Sequence, residues 1–140
     1  MSLEAKIAHL GFIQGVINRM GSNSFVIKGW AVTLAAAIFA LAAKESNPKF
    51  IYLSFFPVLC FWLLDAYFLL HEKRFRELYR RVAFAPPATD FSLSTAGIYP
   101  GKLRLFWAAI SPTLLSYYGL IIFLVLWFMW KIFGFFANGQ

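Results

Sequence analysis

A chain of 140 residues is enough for one domain. Hydrophobic residues make up 61% and charged residues only 14%, against roughly 25% charged in a soluble domain. The apolar residues fall in long blocks and the net charge of +7 lies mostly between them, which argues against a soluble enzyme and for lipid as the solvent.

Residues 3–20 read as an amphipathic helix that does not span the membrane. Leu3, Ile7, Leu10, Ile13, Ile17 and Met20 recur at helical spacing, with Lys6 intruding on the arc. A second stripe, Gly11, Gln14, Gly15 and Asn18, carries small and amide side chains at i, i+3, i+4, i+7. Such a stripe either admits a neighbouring helix at close range or faces a water-filled lumen between subunits. The run Gly21-Ser22-Asn23-Ser24 is expected to break this helix and cap the next. No cleavable signal peptide is expected, because Glu4, Lys6 and His9 interrupt the first ten residues.

Residues 25–43 form the first spanning candidate, nineteen residues against the roughly 20 that cross a bilayer. Lys28 lies near its start and Trp30 at interface depth. Lys44 to Lys49 form a polar loop closed by Pro48. Residues 50–70 are the second span, broken only by Asp65 and expected to kink at Pro57. A basic helix, 71–84, continues it: Phe75, Leu78, Tyr79 and Val82 line one face among Lys73, Arg74, Arg76, Arg80 and Arg81. Glu72 with Arg76 and Glu77 with Arg81 are spaced for i, i+4 pairs. Pro86-Pro87 stops the helix, and residues 86–101 read as a loop. The last apolar block is too long for one span and too short for two. Ser111-Pro112 divides it into a short interfacial helix, 103–110, and a third span, 112–133. The expected fold is thus an all-α integral membrane domain of three transmembrane helices.

With three spans, ten basic residues collect on one side and three on the other. The positive-inside rule then places the N-terminus in the cytoplasm, the basic extension of the second span with it, and the C-terminus outside.

Lys28 and Asp65 are the charges expected within the bilayer. Counted from their cytoplasmic span ends, their depths differ by only ~3 Å, so antiparallel neighbours would pair them. A charge at mid-bilayer costs roughly 2.5–3.5 kcal/mol, and a partner offsets it. The pair reads either as structural or as part of an ion or proton path. The basic helix reads as a surface for anionic lipids, or as a dock for RNA or a protein. His9 and His71 make no metal-ligand spacing, no phosphate-binding glycine loop or GxSxG appears, and the lone Cys60 reads as packing. No catalytic site, cofactor or metal is expected.

Two stretches, HLGFIQGVINRMGSNSFVIKGWAVTL (9–34) and FWLLDAYFLLHEKRFRELYRRV (61–82), carry a resemblance. They are similar to small bacterial membrane proteins encoded as accessories in anti-phage defence, beside the RNA adenosine deaminase defence system and type VI-B CRISPR loci. Asn18, Arg19, Asn23, Lys28, Trp30, Asp65, Arg76 and Tyr79 belong to the shared pattern; the last 55 residues carry no match. The resemblance implies a defence context and a membrane-acting effector or accessory. Taken with the residues, the expectation is a non-enzymatic, homo-oligomeric protein of the bacterial inner membrane that permeabilises the membrane as a pore or recruits a cytoplasmic defence protein there. The alternatives are a small transporter or membrane-complex subunit using the Lys–Asp pair, and a membrane-tethered RNA or protein adaptor.

Overall fold

A computed structural model describes residues 3–44, 52–86, 90–101 and 103–137. Among them are four helices and no strand: α1 (Leu3–Lys44), α2 (Phe55–Phe84), α3 (Leu103–Ala109) and α4 (Pro112–Ala137). Three of these, α1, α2 and α4, are long and apolar enough to cross a membrane.

The expected break at Gly21–Ser24 is absent: α1 runs unbroken for 42 residues. A glycine in a helix interior costs only about 1 kcal/mol relative to alanine, and a serine less. Against that stands one continuous packed stripe. Its buried members are His9, Ile13, Ile17, Ile27, Ala31, Ala35 and Ala42, and the half-buried Met20 and Ser24 keep the register across the supposed break. Tertiary contact along this stripe holds the segment helical. The division into an amphipathic helix 3–20 and a span 25–43 is therefore replaced by one rod.

The N-terminal face is also rotated from its expected position. Leu3 and Ile7 are 68% and 60% exposed, whereas His9, Ile13 and Ile17 are buried. Lys6 is the cause. Its Nζ donates to the carbonyls of Ala83 and Ala85, 2.8 Å each, at the end of α2. Those acceptors lack helical partners, and a lysine there is also favoured by the helix dipole. The residue that spoiled the amphipathic arc is the one that fixes its direction.

α2 packs antiparallel along α1, since Lys6 meets Ala83 at one level and Lys28 meets Asp65 at another. Residues 71–84 continue the same helix without interruption. Pro57 falls in the first turn of α2, and the helical residues 52–53 are set off from α2 by a turn at Ser54, three residues before the proline. The expected span began at residue 50; residues 50 and 51, like most of the 44–49 loop, lie outside the described residues. Ala85 ends the helix in an extended conformation (φ −71°, ψ 155°), as the residue before a proline prefers.

Pro112 opens α4 as expected, and α4 continues past residue 133 to Ala137. α4 runs parallel to α1: Tyr117 meets Lys28 and, eleven residues on along both helices, Phe128 meets Phe39 at 5.0 Å. The core gathers Val58, Ala66 and Leu70 of α2, Ala31 and Ala42 of α1, Ala108 of α3, and Leu114, Tyr118, Ile121 and Val125 of α4. Small residues on α1 and α2 let the helices approach, and branched ones on α4 fill the seam.

Candidate functional site: an ion pair at the helix junction

Asp65 points into the bundle and is 0% exposed; Lys28 is 19% exposed. Their charged atoms lie 2.5 Å apart. Ser24, one turn before Lys28, donates its hydroxyl to the other carboxylate oxygen at 2.5 Å and accepts from Lys28 Nζ at 2.7 Å. Ammonium, hydroxyl and carboxylate thus close a three-membered ring of charge-assisted bonds. Helical spacing explains it: Ser24 and Lys28 are i, i+4 on α1 and face the same carboxylate on α2.

α4 completes the junction through two adjacent tyrosines. Tyr117 donates its hydroxyl to the Lys28 carbonyl at 2.9 Å, and its ring centroid lies 5.8 Å from the Lys28 ammonium. Tyr118, fully buried, donates to the Phe61 carbonyl of α2 at 3.2 Å. Trp62 stacks on Tyr118, with centroids 5.9 Å apart and planes 7° from parallel, and donates to the Ala109 carbonyl at the end of α3. Tyr117, Tyr118 and Trp62 carry no mark in the sequence reading, where Ser24 is part of an expected helix break and cap. The available signal was the Tyr117-Tyr118 pair, whose hydroxyls sit within an otherwise apolar block and need partners there.

The stripe Gly11, Gln14, Gly15, Asn18 faces outward. Nothing lies within 4 Å of a Cβ built on Gly11 or Gly15, so no helix of this chain among the described residues uses it as a seam. Gln14 donates its amide to Asn18 Oδ1 at 3.0 Å. Beside this pair is an open groove of about 350 Å³ lined by Gln14, Ile17, Asn18, Arg76 and Tyr79. The structure therefore brings Gln14 and Asn18 together with Arg76 and Tyr79, which the sequence treated separately. Arg19 and Trp30 are exposed and Asn23 is half-buried, none of them at the ion pair.

On the basic stretch, Arg76 bonds Glu72 at 2.6 Å, and Glu77 binds Arg80 at 2.6 Å and Arg81 at 3.2 Å. Arg74 donates to the Tyr99 carbonyl at 3.1 Å. That contact folds the 90–101 loop back over the helix, and Phe91 of the loop lies 5.6 Å from the His9 ring. Lys73, Arg76, Glu77, Arg80 and Tyr99 line a second groove. No group of three or more His, Cys, Asp or Glu that could hold a metal is found among the described residues.

No protein-family model, curated protein or solved structure matches this chain.

Proposed function

We propose that this chain is a multi-span protein of the bacterial cytoplasmic membrane, with its N-terminus and the basic helical extension 71–84 on the cytoplasmic side. It acts without catalysis, as an oligomeric effector or accessory subunit in antiviral defence. The observation that carries the membrane reading is the apolar exterior of α1, α2 and α4. Val26, Val32, Leu59, Leu63, Leu120 and Phe123 are each about half exposed or more. Contiguous apolar surface on this scale needs lipid or a partner to cover it. The defence reading is supported by the two stretches that carry the resemblance. They pack face to face along α1 and α2, and their shared residues Lys28 and Asp65 form the junction. The oligomer is supported by the outward stripe at Gly11 and Gly15, open to a second copy.

The ring of bonds at Lys28, Ser24 and Asp65 favours a structural pair over an ion-coupling site, because each charge is already satisfied within it. Glu72 and Glu77 offset two of the five positive charges along residues 72–81, which weakens the case for a dock along an extended RNA backbone.

Reporter fusions and phage challenge test the two halves of the proposal. Fusions after Lys44 and Gln140 are expected to report the periplasm and one after Phe84 the cytoplasm, with the chain resisting an alkaline wash of membranes. A cytoplasmic C-terminus or release by the wash overturns the topology. Deleting the gene from its native locus is expected to lower protection against phage, and unchanged protection overturns the defence role.

A further inference from the structure

The groove between α1 and α2 combines features that the ion-pair junction does not use. Arg76 lines both this groove and the neighbouring one formed by Lys73, Glu77, Arg80 and Tyr99, so it stands on the ridge between them. Glu72 holds Arg76 at Nη2. A guanidinium has five N–H donors in a fixed fork, so the bond to Glu72 orients it while leaving donors for a second acceptor. Across the groove, Asn18 accepts from Gln14 through Oδ1, which leaves its Nδ2 group as a donor. Tyr79 adds a hydroxyl. An oriented cation with amide and hydroxyl donors around about 350 Å³ of open space is the chemistry of an oxyanion site.

The depth is consistent on both walls. Asn18 precedes Lys28 by ten residues and Arg76 follows Asp65 by eleven, so both lie roughly 15–17 Å along their helices from the ion pair. With Lys28 about one turn inside the hydrocarbon, the groove falls about 10 Å beyond the apolar core, just outside a headgroup layer of roughly 5–8 Å and within reach of it for the long Arg76 side chain. A phosphate carried by a lipid and one dissolved in the cytoplasm both reach that level.

We infer that Arg76, Asn18, Tyr79 and Gln14 form a binding site for a phosphate ester, with the Arg76 guanidinium as its charged anchor. The placement at the membrane surface rests on the topology proposed above; the donor set does not.

The test uses the full-length protein. In one arm, native mass spectrometry in mild detergent compares retention of phosphatidylglycerol with that of phosphatidylcholine. In the other, inorganic phosphate and pyrophosphate are titrated by calorimetry into protein held in phosphatidylcholine nanodiscs. Arg76→Gln is expected to weaken binding about tenfold or more in whichever arm shows it, as loss of a hydrogen bond to a charged group does, and Asn18→Ala several-fold. Arg81→Gln removes the same charge from the same helix without lining the groove and is expected to leave binding within about twofold of wild type. Dependence on Arg76 in the lipid arm assigns the phosphate to a headgroup, and in the soluble arm to a free ester; either supports the site. Equal losses from Arg76→Gln and Arg81→Gln would reduce the groove to diffuse surface charge and overturn the inference, as would no binding in either arm. An Arg76-dependent result with a failed topology test leaves the site standing and removes only its membrane placement.

Discussion

Breaking the ion pair from its two sides should have unequal effects, and the burial of the partners sets the order. Lys28→Ala strands a carboxylate that is 0% exposed. Removing one member of a buried pair costs roughly 3–5 kcal/mol. Ser24 still donates to Asp65, which places the loss near the lower end, about 3 kcal/mol. Asp65→Ala strands an ammonium that is 19% exposed, carried on a flexible stem that the proposed topology places near the end of the apolar zone. That stem can snorkel toward the headgroups, and Ser24 Oγ still accepts, so the loss is nearer 2 kcal/mol. The double substitution leaves no stranded charge and should fall well short of the roughly 5 kcal/mol that additivity gives, with a coupling of about 2 kcal/mol. Reversible unfolding in mixed micelles, followed by tryptophan fluorescence, measures all three, since Trp62 reports the α2–α4 contact. Additivity within about 0.5 kcal/mol, or Asp65→Ala as the costlier single change, would refute this account of the junction.

Tyr118→Phe keeps the stacked ring and removes one hydrogen bond, so it should cost about 1 kcal/mol, against about 3–5 kcal/mol for Tyr118→Ala; equal losses would place no weight on the ring. Lys6→Met retains the stem but frees the Ala83 and Ala85 carbonyls, so hydrogen exchange should quicken in the last turn of α2 and stay unchanged around Asp65. Gly15→Leu meets open space within the subunit and should leave its melting temperature unchanged while abolishing the proposed homo-oligomer by mass measurement; Leu126→Ala on α4 should leave that oligomer intact.

What the sequence made legible was whatever depends on local chemistry or on counting along a helix. The start of α4 at Pro112, the end of α2 before Pro86, the short helix ahead of Ser111 and the meeting of Lys28 with Asp65 all follow from proline geometry and 1.5 Å steps. What stayed hidden depends on partners distant in sequence. The run Gly21-Ser22-Asn23-Ser24 carries local turn signals, yet Ser24 faces a carboxylate forty-one residues away, and that contact together with the packed stripe keeps the segment helical. The same holds for the direction of the N-terminal face. It is fixed by Lys6 reaching Ala83 and Ala85, acceptors that no reading of residues 3–20 alone reveals. Tyr117 and Trp62 bond backbone carbonyls of other helices, and backbone acceptors leave no mark in side-chain patterns.

The unbroken α1 gives this small chain a mechanical property. At 1.5 Å per residue it is a beam about 63 Å long, pinned at Lys28, with an arm of about 38 Å to Leu3 and one of about 24 Å to Lys44. Pivoting about that pin by 10° swings the Leu3 end through about 6–7 Å and the Lys44 end through about 4 Å the other way. A hinge at Gly21 would absorb such a motion within a single turn. Without one, the tilt is carried along the whole rod, reduced from the longer arm to the shorter, and it has to break or carry with it the Lys6 bonds to Ala83 and Ala85.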